Sequence, residues 1–415
     1  MNEEIKVPEG WKVKKIKEIG KVITGKTPPT KISEYWDGSI PFITPSDIKG
    51  FDIRFNYTVE RKVSHDWVER AKNLLLPEKS ICFVSIGSTI GKMCMTKEPS
   101  FTNQQINSII VNDEHNPFFI FYLLRYYQKN IHLKFTGGAA KGIINKTTFE
   151  NIELPIPPLP EQQKIAEILG SIDDQIENLM EQNKTLEEIA KTIFKRWLID
   201  FEFPNEEGKP YKSSGGEFVD SELGKIPKGW KIFRFKEIFS FVKGKKPKAL
   251  ENRYREGLLP YLSIEYLSGN TNNVQYALPE NVIVSSDEDI LMVMDGASSG
   301  KIFIGKKGIV SSTIAKINII NEIVGKDLLY FYLLHYEEKI KSHTTGSAIP
   351  HVDKKYVLNL KVALPLESYL STKLNLIMKD FVLKILNNNK KIQTLTQLRD
   401  ILLPKLITGE IRVKV

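Results

Sequence analysis

The feature that most constrains this chain is that it repeats itself. VPEGWKVKKIKEIGKVITGKTPP from Val7 returns as IPKGWKIFRFKEIFSFVKGKKPK from Ile226, so Pro8, Gly10, Trp11, Lys12, Lys17, Glu18, Ile19, Gly25, Lys26 and Pro28 match Pro227, Gly229, Trp230, Lys231, Lys236, Glu237, Ile238, Gly244, Lys245 and Pro247. The correspondence continues in order at a spacing of about 210–220 residues. SICFVSIGSTIGKMCM from Ser80 pairs with DILMVMDGASSGKIFI from Asp289, FYLL at Phe121 with FYLL at Phe331, Thr136-Gly137 with Thr345-Gly346, and Leu154-Pro155 with Leu364-Pro365. Agreement of this extent in this order identifies a duplicated module, and any fold must accommodate two copies of it.

Each copy has two parts. The first alternates short β-branched or aromatic runs (Ile40–Thr44, Ser80–Val84, Asn107–Val111; Asp289–Met294, Ile309–Ile320) with Gly, Pro, Asn and Ser punctuation, the pattern of strands and turns. Phe-, Tyr- and Leu-rich helical patches follow at Pro117–Lys129 and Lys326–Lys339. Without strict strand–helix alternation, the class is α+β rather than a parallel α/β sheet. The second part reads as one long helix. Ile165, Ile172, Leu179, Leu186 and Ile193 recur at every seventh position, flanked by Ile168, Ile176, Ile189 and Ala190; Leu374, Phe381, Asn388, Leu395 and Leu402 do the same in copy two, flanked by Ile377, Ile385, Ile392 and Leu398. A strict seven-residue seam argues for a coiled coil. Asn388 interrupts it, either as a partly solvated seam residue or as a polar register pin.

A helix of roughly 40 residues spans about 60 Å, so the two globular parts are expected at opposite ends of the first helix. The second helix should then return antiparallel along it, giving a pseudo-twofold dumbbell. The expected division is 1–157 and 226–366 for the globular domains, 158–203 and 367–415 for the helices, and 204–225 for a polar, Gly/Ser-rich linker open to movement or nicking. Pro204 and Pro404, with Gly409, are expected to end the helices.

Composition narrows the function classes. Lys and Arg total 59 against 50 Asp and Glu, a net charge of +9, which is compatible with a polyanionic partner without requiring one. Two cysteines, Cys82 and Cys94, in one apolar stretch read as packed thiols in a reducing cytoplasm. No apolar run approaches the roughly 18 residues of a membrane span, and MNEEIK does not resemble a signal peptide; a cytoplasmic protein without a membrane partner is expected. GSTIGK at Gly87–Lys92 and GASSGK at Gly296–Lys301 are one residue short of a phosphate loop and lack its Ser/Thr, so they read as glycine turns. His65, His115, His132, His335, His343 and His351 lack metal-ligand spacing, and no nucleophile–base arrangement is discernible. Neither cofactor, metal nor catalytic residue is expected. Trp11 and Trp230, each after Pro-x-Gly, suit domain anchoring better than base stacking.

LPIPPLPEQQKIAEIL at Leu154–Leu169, GEFVDSELGKIPKGW at Gly216–Trp230 and LRDILLPKLITGEIRV at Leu398–Val413 closely resemble type I restriction–modification specificity subunits. The resemblance covers essentially the whole chain in the family's order, although copy two carries ALPLESYLST at Ala363–Thr372 where copy one carries the PPLPEQ opening. It implies a two-part double-stranded DNA target, one half per target-recognition domain, with the helix pair setting the gap. It also implies assembly with two methyltransferase subunits for adenine modification and with restriction subunits for cleavage, the chain itself catalysing nothing. NPFF at Asn116–Phe119 is close to an adenine-methyltransferase tetrapeptide but lacks its second proline, and reads as the opening of a helix. A coiled-coil scaffold without sequence-specific DNA reading is the competing reading; it explains the helices but not two differing, loop-rich domains.

On this resemblance the DNA-contact candidates are loop residues: Lys26 and Thr27 with Lys245 and Lys246, Lys92 with Lys301, and Gly137–Lys141 with Gly346–His351, together with Lys31, Tyr35, Lys248, Arg253 and Arg255. Cations position a protein on phosphates, whereas amide, hydroxyl and guanidinium groups read base edges. Features shared by both copies suit fold or phosphate contact, and readout is expected where the copies differ, as at Asn103-Gln104-Gln105 against Ser311-Ser312-Thr313. Substituting Gln104 or Gln105 is therefore expected to relax one half of the modified sequence and leave the other intact, as read by methylation-sensitive sequencing; unchanged specificity at both halves would refute the assignment.

Overall fold

The strand signals of the two copies fold into matching sheets. The computed structural model describes residues 7–48, 54–55, 58–136, 142–269, 274–346, 349–366 and 368–414. Four long helices, Pro117–Thr136 (α1), Leu159–Phe194 (α2), Lys326–Ser342 (α3) and Ser368–Ile407 (α4), accompany them. The chain divides into two compact units, Met1–Leu179 with Lys391–Val415, and Met180–Lys390.

In the first unit, Lys12–Lys15 pairs antiparallel with Glu153–Ile156, clasping the start of the domain to its end. A four-stranded antiparallel sheet runs in the order Gly20–Thr24, Ile106–Val111, Ile81–Val84, Met93–Met95. Its Ile81–Val84 strand is buried along its whole length, which explains a continuous apolar run instead of alternation. Trp36–Ile43 pairs antiparallel with Lys62–Val63 and parallel with Phe101–Thr102 in a second sheet. Phe119–Leu124 of α1 are all buried, so this helix is apolar on every side because protein surrounds it.

The second unit repeats the plan. Trp230–Arg234 pairs with Lys361–Pro365, and Phe239–Lys243, Ile314–Ile319, Ile290–Val293 and Ile302–Ile304 form the four-stranded sheet. Leu259–Leu262 and Gly308–Val310 form the parallel pair of the smaller sheet. The duplication is thus structural as well as sequential, and the class is α+β. Trp11 and Trp230 are buried, Trp11 donating from Nε1 to Glu161 Oε2 at 3.1 Å, which removes both indoles from base stacking. Cys82 and Cys94 are free, buried neighbours across one strand pair.

Within each unit a stretch of α2 packs against a stretch of α4, and the pairing is antiparallel. In the first, Asp173 lies against Arg399 of α4, and Glu161 accepts two hydrogen bonds (2.7 and 3.0 Å) from Arg412, just beyond the end of α4. In the second, Asn388 donates to Asn183 Oδ1 and Asn183 donates to Asn389 Oδ1, each at 2.9 Å. Asn388 is only 1% exposed, which removes the solvated alternative and leaves a buried, bonded polar pin. Of the expected seam residues, Ile165, Ile172, Leu179, Leu374 and Asn388 are buried, and Leu186, Ile193, Phe381, Leu395 and Leu402 are half-buried. The deepest line of α4 follows Leu374, Met378, Val382 and Leu386, then Arg399, Leu403 and Leu406. Its spacing departs from seven because α4 also packs on the domain cores, and a straight helix drifts against a strict heptad. Leu398 and Ile189, expected to flank the seam, are exposed.

Three further expectations are corrected. Helix α2 stops at Phe194 and passes into a π-helical turn, Lys195–Ile199, well before Pro204. Pro404 lies inside α4, which runs on to Ile407; in the last turn its ring forfeits one intrahelical bond, and Gly409 at φ +72° follows. The 204–225 linker is folded, not loose: Phe218–Ser221 pairs with Gly224–Pro227, and Phe203 stacks between Tyr211 (4.5 Å) and Trp230 (5.3 Å). Its few aromatics decide the outcome against its polar majority. Among the described residues, no helix is long and apolar enough to cross a membrane.

Asp173 is 1% exposed and accepts from Tyr122 Oη of α1 (2.7 Å) and Arg399 Nη1 of α4 (2.9 Å), with Arg125 Nη1 at 3.9 Å. Burial pulls the Arg399 guanidinium down in pKa, but Asp173 and Asp400 outweigh it and hold it above its ordinary value. Removing one member of such a set strands its partner's charge, which costs about 3–5 kcal/mol. Arg399→Ala is expected to lose about that much in chemical denaturation, whereas Lys195→Ala, which breaks the exposed pair with Asp200, is expected to lose less than about 1 kcal/mol.

Candidate nucleic-acid interface

Four loops far apart in sequence converge at one end of the four-stranded sheet in each unit. In the first unit, Gly25 N donates to Ile106 O, Ser85 N to Gln105 O (2.8 Å) and Gly87 N to Gly142 O (3.0 Å), and Ile86 forms a β-bridge with Ile143. In the second, Gly244 N donates to Ile314 O, Met294 N to Thr313 O (2.7 Å) and Gly296 N to Pro350 O (2.9 Å), and Asp295 bridges His351. The same backbone joints are therefore made twice. Gly25 and Gly244 permit the closest of these approaches: a Cβ on either would lie 2.2 Å from the carbonyl oxygen of Thr102 or Ser311, a distance no side chain tolerates.

The two glycine motifs form the hairpin turns of this edge. Val84 N donates to Lys92 O and Gly91 N to Val84 O, with Val293, Lys301 and Gly300 bonded alike in the second unit. Gly87, Gly91, Gly296 and Gly300 have φ of +83°, +94°, +105° and +92°. A strand follows each turn, Met93–Met95 and Ile302–Ile304, whereas a phosphate loop opens a helix. The nucleotide-binding resemblance ends there. NPFF is likewise a helix start, since Asn116 Oδ1 accepts from Phe118 N (3.0 Å) and Phe119 N (3.1 Å) and Phe119 is fully buried. Among the described residues, no group of three His, Cys, Asp or Glu is placed to hold a metal ion.

Of the candidates drawn from sequence, this edge brings together Lys26, Thr27, Lys92, Gln104 and Gln105 in the first unit and Lys245, Lys246 and Lys301 in the second. Lys26, Gln104, Lys245 and Lys246 are exposed. Thr27 Oγ1 donates to Gln104 Oε1 at 2.7 Å, leaving the Gln104 amide NH2 available as a donor. Gln105 is held to Asn103 by two hydrogen bonds of 3.0 and 3.1 Å, and Ser311 to Thr313 by one of 3.1 Å at the matching place. The Lys301 ammonium stands 5.1 Å over the Phe303 ring. Lys141 lies outside the described residues, as do the rest of 137–141 and positions 347–348.

The remaining candidates belong to the margin of the smaller sheets. Tyr35 packs on Trp67 with ring centroids 5.3 Å apart, and Lys31, close by in sequence, is exposed. Arg255 is ion-paired with Glu251, whose backbone bonds to Tyr276, and Lys248 and Arg253 are exposed nearby in sequence. Sequence reasoning missed Lys243, Asp295, Ile86 and Ile143, and had His351 only as the end of the candidate stretch Gly346–His351. The available signal was slight: Lys243, Ile86 and Asp295 each precede a glycine matched between the copies, while the partnership of Asp295 with His351 is created by topology.

The family model for the type I restriction modification DNA specificity domain matches this chain twice, over residues 8–215 and 227–397. The specificity subunit of the type I restriction enzyme MjaIX of Methanocaldococcus jannaschii is 32% identical over 428 residues, covering 99% of this chain and 95% of that protein. The HindI specificity subunit of Haemophilus influenzae is 35% identical over 199 residues, covering 46% of this chain and 42% of that protein. A crystal structure of the type I restriction–modification S subunit from M. genitalium shares the fold, with a TM-score of 0.58 at 19% identity over 98% of this chain and 97% of that one.

Proposed function

The chain belongs to the type I restriction–modification DNA specificity family, the non-catalytic recognition component of such systems, and from that premise we infer that it reads a two-part DNA target through the two four-loop edges. The observation that carries the reading is the contrast between backbone and side chains at these edges. The joints are the same in both units, yet Thr24, Ile86, Gln104 and Ile143 in one stand where Lys243, Asp295, Ser312 and His351 stand in the other. A common frame with different side chains suits two half-sites unrelated in sequence. The paired helices supply the spacer, as fixed dimer geometry sets half-site spacing in other DNA-binding proteins.

The partners are double-stranded DNA, two methyltransferase subunits that modify adenine, and restriction subunits that cleave; the assembly works in the cytoplasm. Methylation-sensitive long-read sequencing of the host genome with and without this gene tests the reading. A two-part adenine-methylated motif is expected to vanish on deletion. A motif that persists would assign its recognition to another chain.

The exposed lysines of the edges serve as phosphate contacts. Lys245→Ala with Lys246→Ala is expected to weaken binding of the assembled complex nearly equally across sequences. The slope of log affinity against log salt should fall by about 1 for each phosphate that is no longer neutralised. A changed sequence preference at an unchanged salt slope would show instead that these lysines read bases.

A further inference from the structure

Lys243, Asp295 and His351 come from three of the four loops of the second edge and meet through one carboxylate. Lys243 Nζ is 3.0 Å from Asp295 Oδ2, and His351 Nδ1 is 2.8 Å from Asp295 Oδ1. Both carboxylate oxygens are thus engaged by the cluster, and Asp295 is a positioning group. Its side chain is 22% exposed, whereas those of Lys243 and His351 are 48% and 49% exposed. Burial would raise the Asp295 carboxyl in pKa, but the hydrogen bonds from His351 and Lys243 outweigh it and hold it below its ordinary value. The carboxylate is therefore kept charged as an anchor for the two outward groups.

The anchor also sets which atoms face outward. Because a carboxylate only accepts, His351 donates from Nδ1 and presents Nε2; Lys243 keeps two N–H groups after bonding Asp295. The equivalent place in the first edge is differently furnished. Ile86 bridges Ile143, which is 61% exposed, and Thr24 Oγ1 is turned to Asn107 Oδ1 at 2.6 Å. Among the described residues at that place, neither a cation nor an imidazole is offered.

We propose that Lys243 and His351, positioned by Asp295, read a purine at one position of the half-site recognised by the second domain. Both purines present N7 as an acceptor in the major groove, beside the adenine N6 amine or the guanine O6. Lys243 donates to N7. His351 Nε2 completes the contact, accepting from the adenine amine or, when protonated, donating to guanine O6. Pyrimidines lack N7: cytosine offers only its N4 amine, which donates, and thymine offers O4 beside a methyl group, so neither completes both contacts. The assignment rests on the specificity reading above, and narrows it to named side chains and a base class.

The test uses the full chain assembled with its methyltransferase partners, carrying His351→Ala or Lys243→Met, with modified DNA sequenced for methylated motifs beside the wild type. Each variant is expected to lower discrimination against pyrimidines at one position by roughly 5- to 150-fold, leaving every position of the other half-site as it was. That intact half reports that the variant is folded and assembled. A uniform fall in methylation with the consensus retained makes the cluster a phosphate contact and overturns the proposal; so does an unchanged motif. A wild-type complex that modifies no two-part motif overturns the underlying specificity reading, and the assignment with it.

Discussion

The Asp173 carboxylate is the contact around which the first unit is organised, since it gathers a tyrosine and an arginine of α1 and an arginine of α4 onto α2 in one buried place. Buried charges are tolerated only with their partners in place, so α1, α2 and α4 are held in one arrangement. The second unit meets the same geometric demand with other chemistry. Tyr332, which matches Tyr122, packs edge-on against Phe194 at 4.7 Å and donates to Ala363 O, with Ala190, Met378 and Val382 buried in the same core. An arginine in that apolar setting would lack a carboxylate, and an alanine at position 399 would leave Asp173 short of one of its cations. The two helix ends are thereby chemically distinct although the repeat makes them geometrically alike. Asn183 with Asn388 and Asn389 adds a second polar specification within the other unit.

Once the helices are placed, recognition depends on separating what is repeated from what is not. The repeated glycines sit where backbone must approach backbone, as at Gly25 and Gly244, or where a hairpin needs positive φ, as at Gly87 and Gly296. They bring the four loops together and carry no sequence information. The side chains beside them differ: an isoleucine pair and amides on one edge, a lysine–aspartate–histidine cluster on the other. Duplication of the frame with divergence of its neighbours allows one fold to serve two unrelated half-sites.

Much of this was legible in the sequence because it depends on local pattern. The repeat, the heptads, the strand runs and the burial of both tryptophans follow from periodicity and punctuation read over short windows. What escaped depends on long-range contact. Asp173 and Arg399 look like solvated helix charges until α1 covers them. Asp295 and His351 are 56 residues apart and meet only through the sheet. The linker's composition marked it as loose, yet Phe203 and Tyr211 fold it onto Trp230. Pro404 stops nothing because only one turn of helix remains. The exact seam of α4 was likewise hidden, since the helix serves the domain cores as well as its partner helix.

The central claim is that each domain reads its half of the target through its own four-loop edge, independently of the other. The most direct measurement replaces residues 226–366 with a copy of 7–157 and sequences the methylated motif produced by the assembled complex. The account requires that the half-site of the first domain be kept and that the other half be replaced by a second copy of it. Retention of the original second half would contradict the claim and place its recognition outside the second domain.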